Sequence, residues 1–396
     1  MILYQYYKMA EKKHELGQYF TTDQTLREKV WEFILNNPSE ILEPSIGRGD
    51  LVVFIQDKNP DVKFDMYEID TEIIPLGGID KPDIIYGDFM DQIVTKIYRT
   101  IIGNPPYVRT KSGNLYLDFT EKCYNSLYDG GELIFIVPSD FFKLTSAAEL
   151  LKEMLENGTF THIYHPNRED LFENASVDVL VFRYCKDPSL EKKTLYNGEI
   201  RYLHNQNGMV IFDDNPNTSG PTFSDMFHIY VGLVTGKEDI YKNAELGNIS
   251  VINGLDKVEK YIYVEEFPSG DTIIDNYLLE NKEALISRKI RKFNQDNWFE
   301  WGALRNISAM RDNRDRDCIY IYTQSRKQQI AFRGKVGYFG GNLLMLLPKV
   351  ETINDTESLE KITTYINGGA FRRNFTNSGR FRIKHSNISK STFPTL

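Results

Sequence analysis

Between about Leu35 and Tyr184 the chain alternates short apolar runs with longer helical stretches. The runs Glu40–Glu43, Lys63–Ile69, Asp83–Tyr86, Thr100–Gly103, Glu132–Val137, Phe160–Tyr164 and Val177–Tyr184 are rich in β-branched or aromatic residues. Most are bounded by Gly, Pro or Asp, so they read as strands. Thr25–Leu35, Leu115–Leu127 and Ala147–Glu156 read as helices, the last with Thr145 and Ser146 as N-caps. Strands alternating with helices predict an α/β fold around a doubly wound, mostly parallel sheet. After Tyr184 the pattern loosens. Lys186–Lys193 is charged and holds Pro188, and Asp213–Pro221 is a run of turn formers. The expected organisation is therefore a first domain over 1–190 and a second, irregular mixed α+β domain over 191–396, linker-like up to about 222.

With 396 residues, 41% hydrophobic and 26% charged, the chain can fill two cores. It contains no run of 18 apolar residues, which excludes an ordinary transmembrane helix. Met1–Lys13 lacks the continuous apolar stretch of a secretory signal. Cys123, Cys185 and Cys318 lie far apart with no CxxC pair, which suits a reducing, cytoplasmic interior and leaves no cysteine-rich metal site. The net charge of -9 hides an asymmetry. Residues 281–396 carry 21 Lys+Arg against 10 Asp+Glu, and residues 1–280 carry 26 against 46. Phosphate contacts are local, so the basic C-terminal part is what a polyanion would meet.

Three acids fall at successive strand ends. Glu43 opens the stretch Glu43-Pro44-Ser45-Ile46-Gly47-Arg48-Gly49-Asp50, a tight glycine turn into a helix. Glycines let backbone approach a ligand, and a carboxylate can hold an amine or hydroxyl. The third glycine of the dinucleotide fingerprint is absent, and no Lys-Ser/Thr makes it a P-loop. Glu68, in Met66-Tyr67-Glu68-Ile69-Asp70, is placed to accept from ribose hydroxyls. Asp88 and Phe89 follow the third strand, where Asp can accept from an adenine amino group and Phe can pack on the ring. Together they describe a nucleoside pocket at the carboxyl edge of one sheet. The fourth strand runs into Asn104-Pro105-Pro106-Tyr107. The prolines stiffen the turn, so the Asn104 side chain and the Pro105 carbonyl can act as a fixed pair of acceptors beside the flat face of Tyr107.

Glu-x3-Gly-x-Gly followed by Asn-Pro-Pro-Tyr resembles the S-adenosylmethionine-dependent amino-methyltransferases, and the motif order resembles their gamma-class DNA adenine-N6 members. Leu16-Gly17-Gln18-Tyr19-Phe20-Thr21-Thr22 resembles the N-terminal motif of that family, with Thr22 where a proline is usual. The resemblance implies a seven-stranded methyltransferase sheet and S-adenosyl-L-methionine as cofactor, held by Thr21, Glu43, Pro44, Gly47, Gly49, Glu68, Asp88 and Phe89. It implies catalysis by Asn104, Pro105 and Tyr107 on an adenine flipped from double-stranded DNA, with no metal. Asp170-Leu171-Phe172-Glu173 resembles the site of the base-stacking aromatic, which makes Phe172 the partner of Tyr107. Phe141 and Phe142 are rival candidates, better read as wall or core. Val231–Gly236 resembles the start of the target-recognition region. A separate cognate restriction endonuclease is a further expected partner. An RNA or protein-glutamine methyltransferase, or a catalytically silent DNA-binding protein on the same scaffold, would share these motifs. Met9 could initiate translation without losing any of them.

Candidate DNA contacts follow from charge. They are Arg288, Lys289, Arg291, Lys292, Arg372, Arg373, Arg380, Arg382 and Lys384, with Arg305, Arg311, Arg314, Arg316 and Arg333 behind them. Most such residues touch phosphate and few read bases. Asn374, Asn377 and Ser378 lie among the terminal arginines and could face a groove or cap a loop.

Overall fold

The computed structural model describes residues 16–110, 113–172, 175–206, 209–214, 220–377 and 380–394. Met1–Lys13, Glu173 and Ser378, which the sequence reading singles out, lie outside these residues. The chain divides into two compact units, the first reaching Thr218 and the second beginning at Ser219.

The first unit is built on a ten-stranded sheet. Its strands are β1 Glu40–Glu43, β2 Lys63–Glu68, β3 Ile84–Tyr86, β4 Tyr98–Gly103, β5 Leu127–Pro138, β6 Thr159–Tyr164, β7 Val179–Cys185, β8 Lys193–Tyr196, β9 Glu199–Gln206 and β10 Met209–Asp213. Their spatial order is 10-9-8-6-7-5-4-1-2-3. β1 lies parallel between β2 and β4, and β4 pairs parallel with β5. β7 runs antiparallel between β5 and β6. The seven expected strands are all present, and the doubly wound α/β fold is the one the alternation requires.

Three expectations need correction. The sheet has ten strands, and the first unit extends past residue 190, because β8 to β10 continue the sheet beyond β6. The segment expected as a linker supplies these strands. The helix Ala148–Asn157 starts from Ala147 without a side-chain cap, since Thr145–Ala147 forms a 3-10 turn ahead of it.

Period-2 alternation explains why both faces of the sheet are covered. Leu133, Phe135 and Val137 of β5 join Leu42, Ile101 and Phe182 in one core. Ile134 and Ile136 join Ile41, Ile102, Val179 and Val181 in the other. Each fully buried Phe or Ile side chain contributes about 1.5–3 kcal/mol of transfer free energy. Helices α1 Gln24–Glu32, α2 Asp50–Lys58, α3 Leu115–Asn125 and α4 Ala148–Asn157 accompany the strands. Asp23 caps α1 by accepting from Leu26 N–H. One charged pair lies inside. Glu132, with no exposure, accepts from Arg183 Nε at 2.8 Å, Thr100 Oγ1 at 2.9 Å, and the Leu35 and Asn36 amides at 3.1 Å each.

The second unit centres on an antiparallel sheet of Phe227–Val231, Leu343–Pro348, Asp317–Tyr322 and Ala331–Lys335, in that order. Alternation again fills two cores. Cys318, Tyr320, Leu343 and Met345 face one side, and Ile319, Ile321, Leu344 and Leu346 the other. The helix Thr356–Asn367, capped by Asp355, belongs to the second of these cores through Leu359, Ile362 and Ile366. Gly232 is required by crowding, since a Cβ there would sit 2.1 Å from the Gly340 carbonyl oxygen.

Candidate active site

The carboxyl ends of β1, β2, β3 and β4 converge where strand order reverses between β1 and β4, the position at which open α/β sheets bind ligands. A cavity with about 930 Å³ of empty space, partly open to solvent, lies there. Glu43, Glu68, Asp88 and Asn104 line it, with Gly47 and Phe89. Of the other residues expected at the cofactor, Thr21 and Pro44 also line it. Gly49 is not among the lining residues.

The turn after β1 is held in a conformation that only glycine adopts easily. Gly47 and Gly49 have φ of +57° and +89°. A Cβ on Gly49 would meet Ile79 Cδ1 at 2.1 Å. Glu68 fixes the turn, because its Oε2 accepts from Gly47 N–H at 2.8 Å and its Oε1 from Asp70 N–H at 2.8 Å. Burial raises the pKa of Glu68, and these amides oppose the rise. The carboxylate expected to meet ribose thus already organises the glycine turn, with lone pairs left on each oxygen.

Glu43 is 2% exposed. Burial pushes its carboxyl up to about 8; the Ser45 amide opposes this, and the charge of Glu68 adds to it. Asp88 caps its own turn by accepting from Met90 N–H at 2.9 Å. Lys122 of α3 clamps that turn from the other side, donating to the carbonyls of Phe89, Met90 and Gln92 at 2.5, 3.0 and 2.7 Å. Phe89 is nearly buried, edge-on to Tyr67 and tilted against Phe119, so it is part of the pocket wall.

Asn104 is fixed at both ends of its amide. Nδ2 donates to the Tyr19 carbonyl at 2.6 Å and to Thr21 Oγ1 at 3.2 Å. Oδ1 accepts from the Tyr107 hydroxyl at 2.5 Å, and that hydroxyl also reaches the Ile136 carbonyl at 3.0 Å. Burial holds the pKa of Tyr107 well above its usual value, so it stays a proton donor. The segment from Leu16 to Thr22 therefore docks on the Asn-Pro-Pro-Tyr turn. A second tie runs from Gln18 Nε2 to Asp70 Oδ2 at 3.0 Å.

Tyr107 and Phe172, the pair expected to hold the base, are neighbours. Tyr107 and Phe172 touch edge to face, with centroids 6.2 Å apart and planes at 73°. Tyr19 stacks on Tyr107 at 5.4 Å and leans on Phe172 at 5.7 Å. The three rings bury one another, and Phe172 is 5% exposed. Phe141 and Phe142 are core residues, Phe141 stacked on Phe182 at 5.3 Å.

The basic candidates separate by environment. Arg288 is corrected outright: it is 7% exposed and donates to the carbonyls of Leu285, Thr235, Trp298 and Glu300, with its guanidinium over Phe293. It ties the second unit together, with four of its five N–H donors spent on carbonyls. Arg291 pairs with Glu300, Arg311 with Glu265 and Arg333 with Glu360. Lys289, Lys292, Arg305, Arg314, Arg316, Arg373, Arg382 and Lys384 are exposed, and Arg372 and Arg380 partly so. Residues that sequence reasoning passed over include Tyr19 as a ring, Lys122, and Tyr116 edge-on to Tyr107. No sequence signal marks Lys122, whose role depends on three carbonyls converging. Among the described residues no group of His, Cys, Asp or Glu could hold a metal ion.

With this geometry in place, comparison with known proteins is informative. Residues 80–172 match the family model of the Eco57I restriction-modification methylase. Type II methyltransferase M.HincII of Haemophilus influenzae is 33% identical over 211 residues, 47% of this chain and 40% of that protein. Type II methyltransferase M.CvrRI of Paramecium bursaria Chlorella virus XZ-6E is 26% identical over 195 residues, 44% of this chain and 50% of that one. The chain thus spans half or less of the length of these curated relatives. In fold it is similar to the Type IIL restriction-modification enzyme MmeI solved in complex with DNA, with a TM-score of 0.61 at 11% identity, covering 96% of this chain and 69% of that one. The restriction-modification methyltransferase resemblance carried by the glycine turn and the Asn-Pro-Pro-Tyr stretch is the one these matches return.

Proposed function

We propose that the protein transfers a methyl group from S-adenosyl-L-methionine to the N6 amino group of an adenine flipped out of double-stranded DNA. One observation supports the reading above the others: Asn104, pinned through Nδ2 to Tyr19 and Thr21, lines an acid-lined pocket at the switch point of the sheet. The residues fit the cofactor. Glu43, Glu68 and Asp88 offer acceptors for an ammonium, ribose hydroxyls and an adenine amine, and the glycine turn leaves room a Cβ would fill. Bound there, S-adenosyl-L-methionine supplies an electrophilic methyl group.

The chain does the rest by positioning. An adenine amine is a poor nucleophile because its lone pair is conjugated with the ring. Asn104 Oδ1 and the Pro105 carbonyl accept its two N–H bonds and favour a pyramidal nitrogen, which is orientation plus electrostatic stabilisation. Tyr107 gives up or shares its bond to Oδ1 as the amine arrives, and its ring stacks on the base, with Phe172 beside it. Base flipping is the corollary of this geometry. The second unit is the DNA target-recognition part, with exposed basic residues such as Lys289, Lys292 and Lys384 on phosphate, and a separate restriction endonuclease is a natural companion. No helix among the described residues is long and apolar enough to cross a membrane.

Single-molecule sequencing of DNA from cells expressing the chain tests this. N6-methyladenine in one sequence context is the expected result. Modified cytosine, or methyl transfer only to RNA or protein, would refute it.

A further inference from the structure

In the second unit, Gln324–Ser325 pairs antiparallel with Arg380–Arg382, Gln324 opposite Arg382 and Ser325 opposite Phe381. Ile383 N–H continues the ladder to the Thr323 carbonyl at 2.9 Å. Phe381 is 1% exposed and belongs to the core. Alternation therefore sends Arg380 and Arg382 to the opposite face, with Gln324 directly across from Arg382. Beyond Ser325 the turn Arg326-Lys327-Gln328-Gln329 is exposed throughout. Arg372 reaches across to it, donating to Gln328 Oε1 and to the Lys327 carbonyl. Strand, turn and the helix Gly369–Arg373 thus bring together cations that are 44 or more residues apart in the chain.

The unit holds cations that are paired with acids and cations that are not. Arg291, Arg311, Arg333 and Lys335 each pair with an acid. Arg326, Lys327, Arg380 and Arg382 make no ion pair with a described acid. Residues 318–350 and 361–396, which supply these cations, contain no Asp or Glu. Gathering like charges opposes folding, and a polyanion offsets it. The interleaved glutamines point further than phosphate. Arg presents two donors to guanine and Gln a donor and an acceptor to adenine in the major groove of B-DNA, and Arg380–Arg382, which carries Arg382 opposite Gln324, is the central strand of a small three-stranded sheet with Thr376–Asn377 on its other side. The major groove of A-form RNA is too deep and narrow.

We infer that this small sheet reads duplex DNA sequence in the major groove, with Arg382 and Gln324 on base edges and Arg326 and Lys327 on flanking phosphates. The inference rests on the DNA reading above and adds where specificity resides.

The test uses the full chain with S-adenosyl-L-methionine and genomic DNA lacking adenine methylation, the modified motif being read by single-molecule sequencing. Arg382→Ala and Gln324→Ala should each relax one motif position, discrimination there falling about 10- to 100-fold. The double variant Arg326→Ala/Lys327→Ala should keep the motif, and the salt slope of binding to a 30-base-pair random duplex should flatten by about two. These exposed changes should leave the melting temperature unmoved, which separates misfolding from misreading. An intact motif in both Arg382→Ala and Gln324→Ala would overturn the inference while sparing the proposed function. An RNA duplex outcompeting DNA for the wild type would overturn it as well. A wild type that methylates no DNA would refute the proposed function and the inference with it.

Discussion

Glu43 gives the sharpest test of how the pocket takes its cofactor. Its carboxyl is buried and pushed up to about 8, chiefly by burial, so in the free protein it is largely protonated at pH 7. Ionising it there costs about 1.4 kcal/mol, one pKa unit's worth. If the cofactor's ammonium pairs with it, the carboxyl falls back toward its usual range and its proton leaves. Binding at pH 7 should then release about 0.9 proton per cofactor. The sign follows: affinity should climb with pH up to about 8, by as much as tenfold per unit, and level off above it. Calorimetry at pH 7 in phosphate and in Tris, buffers of different ionisation enthalpy, measures the released proton directly. Glu43→Gln, which keeps the shape and loses the titration, should abolish both the release and the slope. Buffer-independent enthalpies in the wild type, or an undiminished release in Glu43→Gln, would show that Glu43 does not meet the cofactor's cation.

Other outcomes follow from the same geometry. Asn104→Ala should abolish methyl transfer while cofactor affinity changes little, and turnover above a tenth of wild type in a tritium-transfer assay would remove its assigned role. Phe172→Ala should slow transfer without altering the methylated sequence; with 2-aminopurine at the target position, brightness should differ from wild type, and identical rates and brightness would end its stacking role. Glu132→Ala strands Arg183 in the core and should cost about 3–5 kcal/mol in urea unfolding, the usual penalty for a broken buried pair. A loss under 1 kcal/mol would mean that water reaches Arg183.

The strand ends carrying Glu43, Glu68, Asp88 and Asn104 were legible because the site uses motifs contiguous in sequence, each an apolar run stopped by an acid or a proline. The last three strands were not. β8 to β10 lie at the outer end of the sheet and are of mixed polarity, with Leu195 and Ile200 exposed, and they follow a charged stretch that reads as a linker. Arg288 and Lys289 look alike in a basic run. Only the fold gathers four carbonyls around Arg288 and leaves its neighbour in solvent. The ring cluster was half legible: Tyr107 and Phe172 do meet, but Tyr19, from a segment read for its cofactor contact, completes the group.

The two-sided core of the second unit bears on how such a protein could change over generations. Stability there is vested in inward side chains such as Phe381, Ile319 and Leu344. The outward residues beside them are less confined, Arg380 being partly exposed and Arg382 exposed. Substitutions at those two positions can accumulate at little cost to folding, whereas position 381 is restricted to a large apolar ring. A saturation library sorted for soluble expression should accept nearly every residue at 380 and 382 and few at 381. On the proposed reading, a surface free to drift on a frame that is not gives a lineage room to acquire a new target sequence without passing through an unfolded ancestor.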